Sequence, residues 1–306
     1  MKFYPLKLKP VTKSIIWGGD YLKKNFGFKS NDENIAEAWL ATCRPDGVNI
    51  IENGEYEGKT FEDYINDAGI DNVCGDFDAF PLLIKFIDAN DRLSVQVHPD
   101  DAYAKANGLD AGKTEMWYIV DCDEGASLYY GFKGDVSREE YEKRISDGTL
   151  CEILNEVPVS KGDCFFITAG TIHAIGAGIL IAEIQQNSNC TYRVFDYGRV
   201  GADGKPRPLH IEKALAVTER TAPKHPFGKP SGDVLAECEY FKVERLVLDG
   251  KREIYVGGDS FSALLCTRGE ATVDGIPLLA GECLFVPAYY GKVNIEGNGE
   301  ILDSRV

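Results

Sequence analysis

Leu93-Ser-Val-Gln-Val-His-Pro-Asp-Asp101 is the stretch on which the reading of this chain turns. Gln96 and His98 alternate within an apolar run, so on a strand both side chains point to one side. Just downstream, Gly112-Lys-Thr-Glu-Met-Trp-Tyr-Ile119 repeats the device, with Lys113 and Glu115 ahead of an aromatic strand. As two adjacent strands, these segments would offer an amide oxygen, an imidazole, a carboxylate and an ammonium to one point. That is the donor set of a metal site with a cation beside it. His173, in Gly170-Thr-Ile-His173, completes four ligands; the chain has only four histidines, and two of them fall in β segments. Each residue alone could be a satisfied polar group lining a barrel. Together in an apolar frame they argue for an ion, because an unpaired inward polar group costs roughly 1–3 kcal/mol. Zinc suits the set, and manganese, iron, nickel and cobalt bind the same donor types.

The totals bound the rest. At 306 residues the chain can hold two cores or one large elaborated domain. A net charge of −16 argues against bulk attraction to nucleic acid or to an anionic membrane, since both need a basic footprint. An anionic substrate would have to be captured by a few local Arg or Lys against that field. The nine cysteines are scattered without a C-x-x-C pair, which reads as reduced thiols in a cytoplasmic protein. The opening MKFYPLKLKP interrupts any apolar leader, and no run of about 18 apolar residues could span a bilayer. We therefore expect no signal peptide and no membrane span.

Taken in order, residues 3–8 read as a short edge strand with Pro5, and 14–19 as a strand entering a Gly-Gly turn. A short helix is expected at 20–26, a strand at 35–43, and a helix at 60–67 with Thr60 as N-cap and Asp63 at N3. Residues 80–88 form a mostly apolar strand and 126–131 another. The clearest helix is 137–148: Ser137 and Glu140 make a capping box and Gly148 stops it. Its polarity places it as an outer insertion. Strands resume at 157–160, 164–168, 170–173 and 179–185, and a helix follows at 210–218. Ala222 to Gly232 holds three prolines and two glycines and reads as a linker. Beyond it, strands recur at short spacing (241–248, 261–268, 270–273, 283–286, 292–295), as in an all-β sandwich or barrel. Lys161-Gly-Asp-Cys-Phe-Phe-Ile-Thr-Ala169 matches Ala280-Gly-Glu-Cys-Leu-Phe-Val-Pro-Ala288 in character. The chain thus reads as mainly β, with two related β-barrel or jelly-roll domains, 1–228 and 229–306, and a few short helices. Tyr289 and Tyr290 stand near where the first copy has His173, so no metal is expected in the second.

Around the expected ion, Lys113 shares a face with Glu115, and a nearby divalent cation would push its pKa down and suit it to proton transfer. Arg193 and Arg199 follow the strand after His173 and could grip a phosphate. Asp100 and Asp101 follow a proline and read as turn-formers. His210 reads as a capping or surface residue and His225 as linker; Trp17 and Trp39 read as core.

With these residues in hand the chain resembles the type I mannose-6-phosphate isomerases, in the short bacterial form without a large helical insertion. The likeness rests on QVHPDD, GKTEMWYI, AGTIHAIG and EIQQNSNCTYRVFDYGR in that order, and covers most of residues 1–230. It implies a bicupin fold with one zinc ion in the first barrel, held by Gln96, His98, Glu115 and His173. The family's lysine falls on Lys113 and its pocket arginine on Arg193. Its later basic residue falls on Arg199, and its serine two before the glutamine on Ser94. Trp17-Gly-Gly19 and the pair Glu37, Trp39 also fit. Many relatives carry a histidine before the proline where this chain has Arg44-Pro45. The implied activity is interconversion of mannose 6-phosphate and fructose 6-phosphate through an enediol. Lys113 would then move the proton, with Glu183 the second choice for that role. Glu183, Ser94 and Arg199 would otherwise contact the phosphorylated hexose.

Two rivals belong to other classes. A bicupin oxygenase would place iron at the same ligands, but such sites are richer in histidine and this one offers Gln96. A non-catalytic sugar-phosphate sensor is disfavoured by the intact Lys113, Arg193 and four ligands.

Overall fold

Period-two alternation sorts three long strands into two faces and so builds the molecule. In Leu82–Ala89, Leu82, Ile84 and Phe86 join one apolar cluster while Ile87 joins another. In Glu115–Cys122, Met116, Tyr118 and Val120 take the first side and Trp117 and Ile119 the second. In Ile179–Gln186, Leu180, Ala182 and Ile184 oppose Ile179 and Ile181 in the same manner. Both faces are covered, so these strands carry almost no polar alternation. The computed structural model describes residues 3–201 and 204–306.

These strands lie in a six-stranded antiparallel sheet ordered Cys164–Ile167, Glu115–Cys122, Ile179–Gln186, Leu82–Ala89, Glu37–Ala41, Val11–Lys13. A five-stranded sheet opposes it, ordered Leu154–Pro158, Ser127–Phe132, His173–Ala174, Val95–Val97, Tyr192–Phe195. Together they make the first cupin barrel. The strands of Gln96 and of Glu115 are therefore not neighbours, as their sequence proximity suggested. They belong to opposite sheets, and across the barrel interior His98, just past Gln96, meets Glu115.

The second barrel is built on two 15-residue strands, Lys242–Val256 and Gly291–Arg305, paired from end to end. What reads in sequence as separate strands at 261–268 and 270–273 is one strand, Ser262–Val273, with a register shift between Cys266 and Arg268. The interior is filled by Leu246, Leu264, Val273, Leu284, Val293 and Ile301, all buried. This sheet takes its edge from the start of the chain: Leu6–Lys9 pairs with Cys283–Val286, and Ile50–Ile51 pairs with Leu6–Lys9. The 228/229 boundary read from the linker thus separates strands that are continuous in one sheet.

Local expectations met their physics unevenly. Helix Phe61–Ala68 has the full capping box, with Thr60 accepting from the Asp63 amide and Asp63 from the Thr60 amide. Helix Arg138–Ser146 has half of one: Ser137 accepts from the Glu140 amide, but the Glu140 carboxylate accepts from Arg144 one turn on. An i,i+4 ion pair competes for the same carboxylate. Nor is that helix merely an outer appendage, because Tyr141 and Ile145 are buried. Residues 14–19 form no continuous strand: the turn falls at Ile16 and Trp17, and Gly18 and Gly19 make isolated bridges to Ala89 and Ile35, with Gly18 so close to Ala36 that a Cβ there would lie 2.7 Å from it. Among the described residues no helix is long and apolar enough to cross a membrane.

The outer face of the six-stranded sheet packs on the second barrel through Phe61, Phe80, Phe261 and Phe285. The Phe285 ring lies 4.7 Å from Phe61, 5.0 Å from Phe261 and 5.9 Å from Phe80. Because this cluster joins both halves of the chain, Phe285→Ala should cost about 3–5 kcal/mol. Urea unfolding followed by circular dichroism and by fluorescence should keep one shared transition; two separated transitions would show that the halves unfold independently.

Candidate active site

The inner face of the six-stranded sheet carries charges where its neighbours carry Ile. Glu183 lies opposite Lys85 on one side and Trp117 on the other, and Gln185 lies opposite Glu115. Lys85 Nζ sits 3.0 Å from Glu183 Oε1 and 3.4 Å from Glu37 Oε2. Lys113 Nζ sits 2.7 Å from Glu115 Oε2 and 3.7 Å from Glu183 Oε1. The indoles of Trp117 and Trp39 donate to Glu183 Oε2 and Glu37 Oε2 at 2.8 and 2.7 Å. The result is an alternating ladder, Glu37–Lys85–Glu183–Lys113–Glu115. Desolvation raises the pKa of a buried carboxyl. Here the opposing lysines override it and hold the Glu37 and Glu115 carboxyls below their usual range, while the carboxylates hold Lys85 charged despite its burial.

The opposite sheet contributes the imidazoles. His173 lies directly across from Gln96, and Gln96 directly across from Arg193. Directly opposed residues share a face, so His173, Gln96 and Arg193 form one row on three strands. His98, two residues beyond Gln96, faces the same way. His98 Nδ1 bonds the Cys190 carbonyl at 2.9 Å and His173 Nδ1 the Thr171 carbonyl at 2.8 Å. Each Nδ1 must therefore carry its proton, which leaves both Nε2 lone pairs aimed inward, that of His98 with Lys113 Nζ 3.2 Å away. His98 Nε2 lies 3.5 Å from Glu115 Oε2, and His173 Nε2 lies 3.4 Å from Glu115 Oε1. Burial, and next the Lys113 charge, push the His98 pKa down to about 4, so it stays neutral as a ligand must.

This arrangement fits a metal ion. Ligand atoms of His98, Glu115 and His173 lie within 4.8 Å of one another. Both Glu115 oxygens and His173 Nε2 are buried without a hydrogen-bond partner, and Oε2 has only its ion pair with Lys113. Three carboxylates against two ammoniums leave the ladder one negative charge in excess. A cation at its Glu115 end relieves both the charge and the orphaned lone pairs. Two imidazole nitrogens and a carboxylate, with Gln96 beside them, match the donors of zinc.

The remaining expected residues lie along the row. Ser94 is buried, and its Oγ accepts from Arg193 Nε at 3.3 Å. Arg193 also donates to the Pro208 carbonyl at 2.9 Å. Arg199, expected to face a phosphate, has its guanidinium engaged with Asp196 at 2.6 Å and with Asp91 at 3.4 Å. Arg207, not singled out from the sequence, bonds the same Asp196, so two guanidiniums share one carboxylate beside Arg193. Lys85 was also missed. Its signal was a lone lysine in the apolar run Leu82–Ile87, all of it buried. Arg44 lies outside the centre, bonding Asp46, Asp110 and the Asn187 carbonyl.

Residues 6–125 match the family described as phosphomannose isomerase type I, catalytic domain, and residues 233–306 the mannose-6-phosphate isomerase cupin domain. The chain is 36% identical to mannose-6-phosphate isomerase ManA of Bacillus subtilis, with 99% of both chains covered. It is 35% identical to the mannose-6-phosphate isomerase of Streptococcus mutans, with 98% of both covered. The crystal structure of mannose 6-phosphate isomerase from Bacillus subtilis superposes with a TM-score of 0.86 at 33% identity, covering 99% of each chain.

Two measurements test this centre. Lys85→Ala removes the cation between Glu183 and Glu37 and should lower stability by about 3–5 kcal/mol. In the intact protein, Glu37 titrates below 4.5 and Lys85 above 10.5, so their mutual stabilisation is complete between those values. It is lost as pH falls below the lower value, where Glu37 takes up its proton, or rises above the upper, where Lys85 releases its own. Unchanged unfolding midpoints in the variant would show the ladder to be unimportant. Separately, Gln96→Ala should retain less metal than wild type after dialysis, by elemental analysis; equal content would remove Gln96 from the ligand set.

Proposed function

The chain belongs to the type I mannose-6-phosphate isomerases, and from that premise we propose that it interconverts mannose 6-phosphate and fructose 6-phosphate with one zinc ion bound by Gln96, His98, Glu115 and His173. The observation that carries the reading is the meeting of a buried His98, Glu115 and His173 cluster, with His173 Nε2 and Glu115 Oε1 unpartnered, and the row that ends at Arg193. Hydroxyl and carbonyl of the open-chain sugar would lie against the first, and negative charge against the second.

The reaction moves one proton from C2 to C1 through an enediol while the carbonyl passes the other way, from C1 to C2, and a hydroxyl proton passes from O2 to O1; the reverse reaction retraces each transfer. It needs a group that takes and returns that proton, and charge stabilisation at the sugar oxygens. A bound zinc ion supplies Lewis acidity toward those oxygens. Arg193 stays protonated and cannot be the base; its role is to stabilise developing charge or to hold the phosphate. Lys113 is our assignment for proton transfer. Its Nζ stands between Glu115 and Glu183, so Glu183 Oε1, 3.7 Å away, is the second site for the same proton. Ser94 holds Arg193 Nε and contacts substrate beside it. Arg199 is held next to that anchor by Asp196, which it shares with Arg207, and its guanidinium would contact the phosphorylated hexose from there. All nine cysteines are free thiols, which supports a cytoplasmic setting.

A coupled assay on mannose 6-phosphate should give turnover that chelation abolishes and zinc restores. Absence of turnover by the metal-loaded protein would overturn the reading, and substrate-dependent oxygen uptake with iron would favour the oxygenase class. Arg193→Ala should lower turnover a hundredfold or more, on the order of 3 kcal/mol for a lost charge-stabilising group.

A further inference from the structure

Arg193 stands on Tyr192–Phe195, the terminal strand of the five-stranded sheet, so the outer side of this strand has no neighbouring strand. Its backbone is nevertheless paired there. The His210 amide donates to the Arg193 carbonyl at 2.8 Å, as a strand partner would. The return bond departs from that pattern, because the Arg193 amide donates to the imidazole Nδ1 of His210 at 3.1 Å. The side chain therefore stands in for the carbonyl of a strand partner. His210 precedes helix Ile211–Val217, and its imidazole makes no capping bond to it. The same segment accepts from the Arg193 guanidinium through the Pro208 carbonyl.

We infer that His210 is a positioning residue for Arg193: its neutral imidazole, with Nδ1 unprotonated, fixes the backbone from which the Arg193 guanidinium reaches the substrate. This rests on the isomerase reading of the site. Burial, Arg193 across the gap and Lys213 on its own helix all depress the His210 pKa below its ordinary 6.5. The Tyr192 ring packs 6.1 Å away. At neutral pH the acceptor is thus available. Protonation would convert Nδ1 into a donor facing the Arg193 amide, and would set a positive charge beside the guanidinium.

The test compares His210→Ala, His210→Gln and His210→Asn in the full-length, metal-loaded protein, assayed on mannose 6-phosphate across pH. The Asn amide oxygen can take the place of Nδ1, whereas the longer Gln places its amide near Nε2. We expect kcat/KM to fall about tenfold in the Ala and Gln variants, the scale of one lost hydrogen bond at a site that must hold its geometry. Metal content should be unchanged in both. The Asn variant should recover most of the loss. Wild type should also lose kcat/KM as pH falls below 6.5, and the Asn variant should lack that limb. If the Ala variant does not fold, the Asn and Gln pair decides. Wild-type kcat/KM in the Gln variant, or an Asn variant as impaired as Gln, would overturn the inference while an inactive Arg193→Ala kept the site reading intact. An Arg193→Ala enzyme with normal turnover would instead overturn the site reading itself.

Discussion

Five charged side chains on one covered sheet face cannot be left unpaired, and the way they alternate sets the terms for the rest of this molecule. Glu37, Lys85, Glu183, Lys113 and Glu115 are buried or nearly so, and each ammonium lies between two carboxylates. Breaking any contact would strand a charge in a medium that solvates it poorly. The ladder ends on Glu115 with negative charge in excess and lone pairs without donors. The fit of this centre to a cation thus follows from its electrostatics as much as from its histidines.

Such a ladder needs a rigid frame, and the two-faced sheet supplies it. Its outer face is sealed against the second barrel by Phe61, Phe80, Phe261 and Phe285. The start of the chain is drawn into the second barrel's sheet through Leu6–Lys9. Through Phe261 and Phe285 that barrel covers the sheet that holds Lys85, Glu115 and Glu183 in register.

The opposite sheet works by different means. Its strands are short, and the side chains they present are steadied by loops: Cys190 and Thr171 carbonyls orient the imidazoles, and Pro208 and Ser94 hold the Arg193 guanidinium. Asp196 draws Arg199 and Arg207 together next to it. Three guanidiniums, Arg193, Arg199 and Arg207, thus stand together at one end of the row, in a chain whose net charge is −16. Local arrangement, rather than net charge, decides which sign a substrate meets.

Much of the site was legible in the sequence because period two is a local property. Gln96 with His98, and Lys113 with Glu115, share a face whenever their segments are strands. The types of donor, the mainly β class, the capping of Phe61–Ala68 and the internal match between 161–169 and 280–288 are likewise matters of neighbouring residues. Tertiary structure alone decided which faces meet. It set the strands of Gln96 and Glu115 in opposite sheets, brought Lys85 out of an apolar run to pair with Glu183, and placed Arg207 and His210 around Asp196 and Arg193. It also threaded Leu6–Lys9 into the far barrel. These are pairings between residues distant in sequence, chosen by the burial of whole faces, and no short-range pattern encodes them.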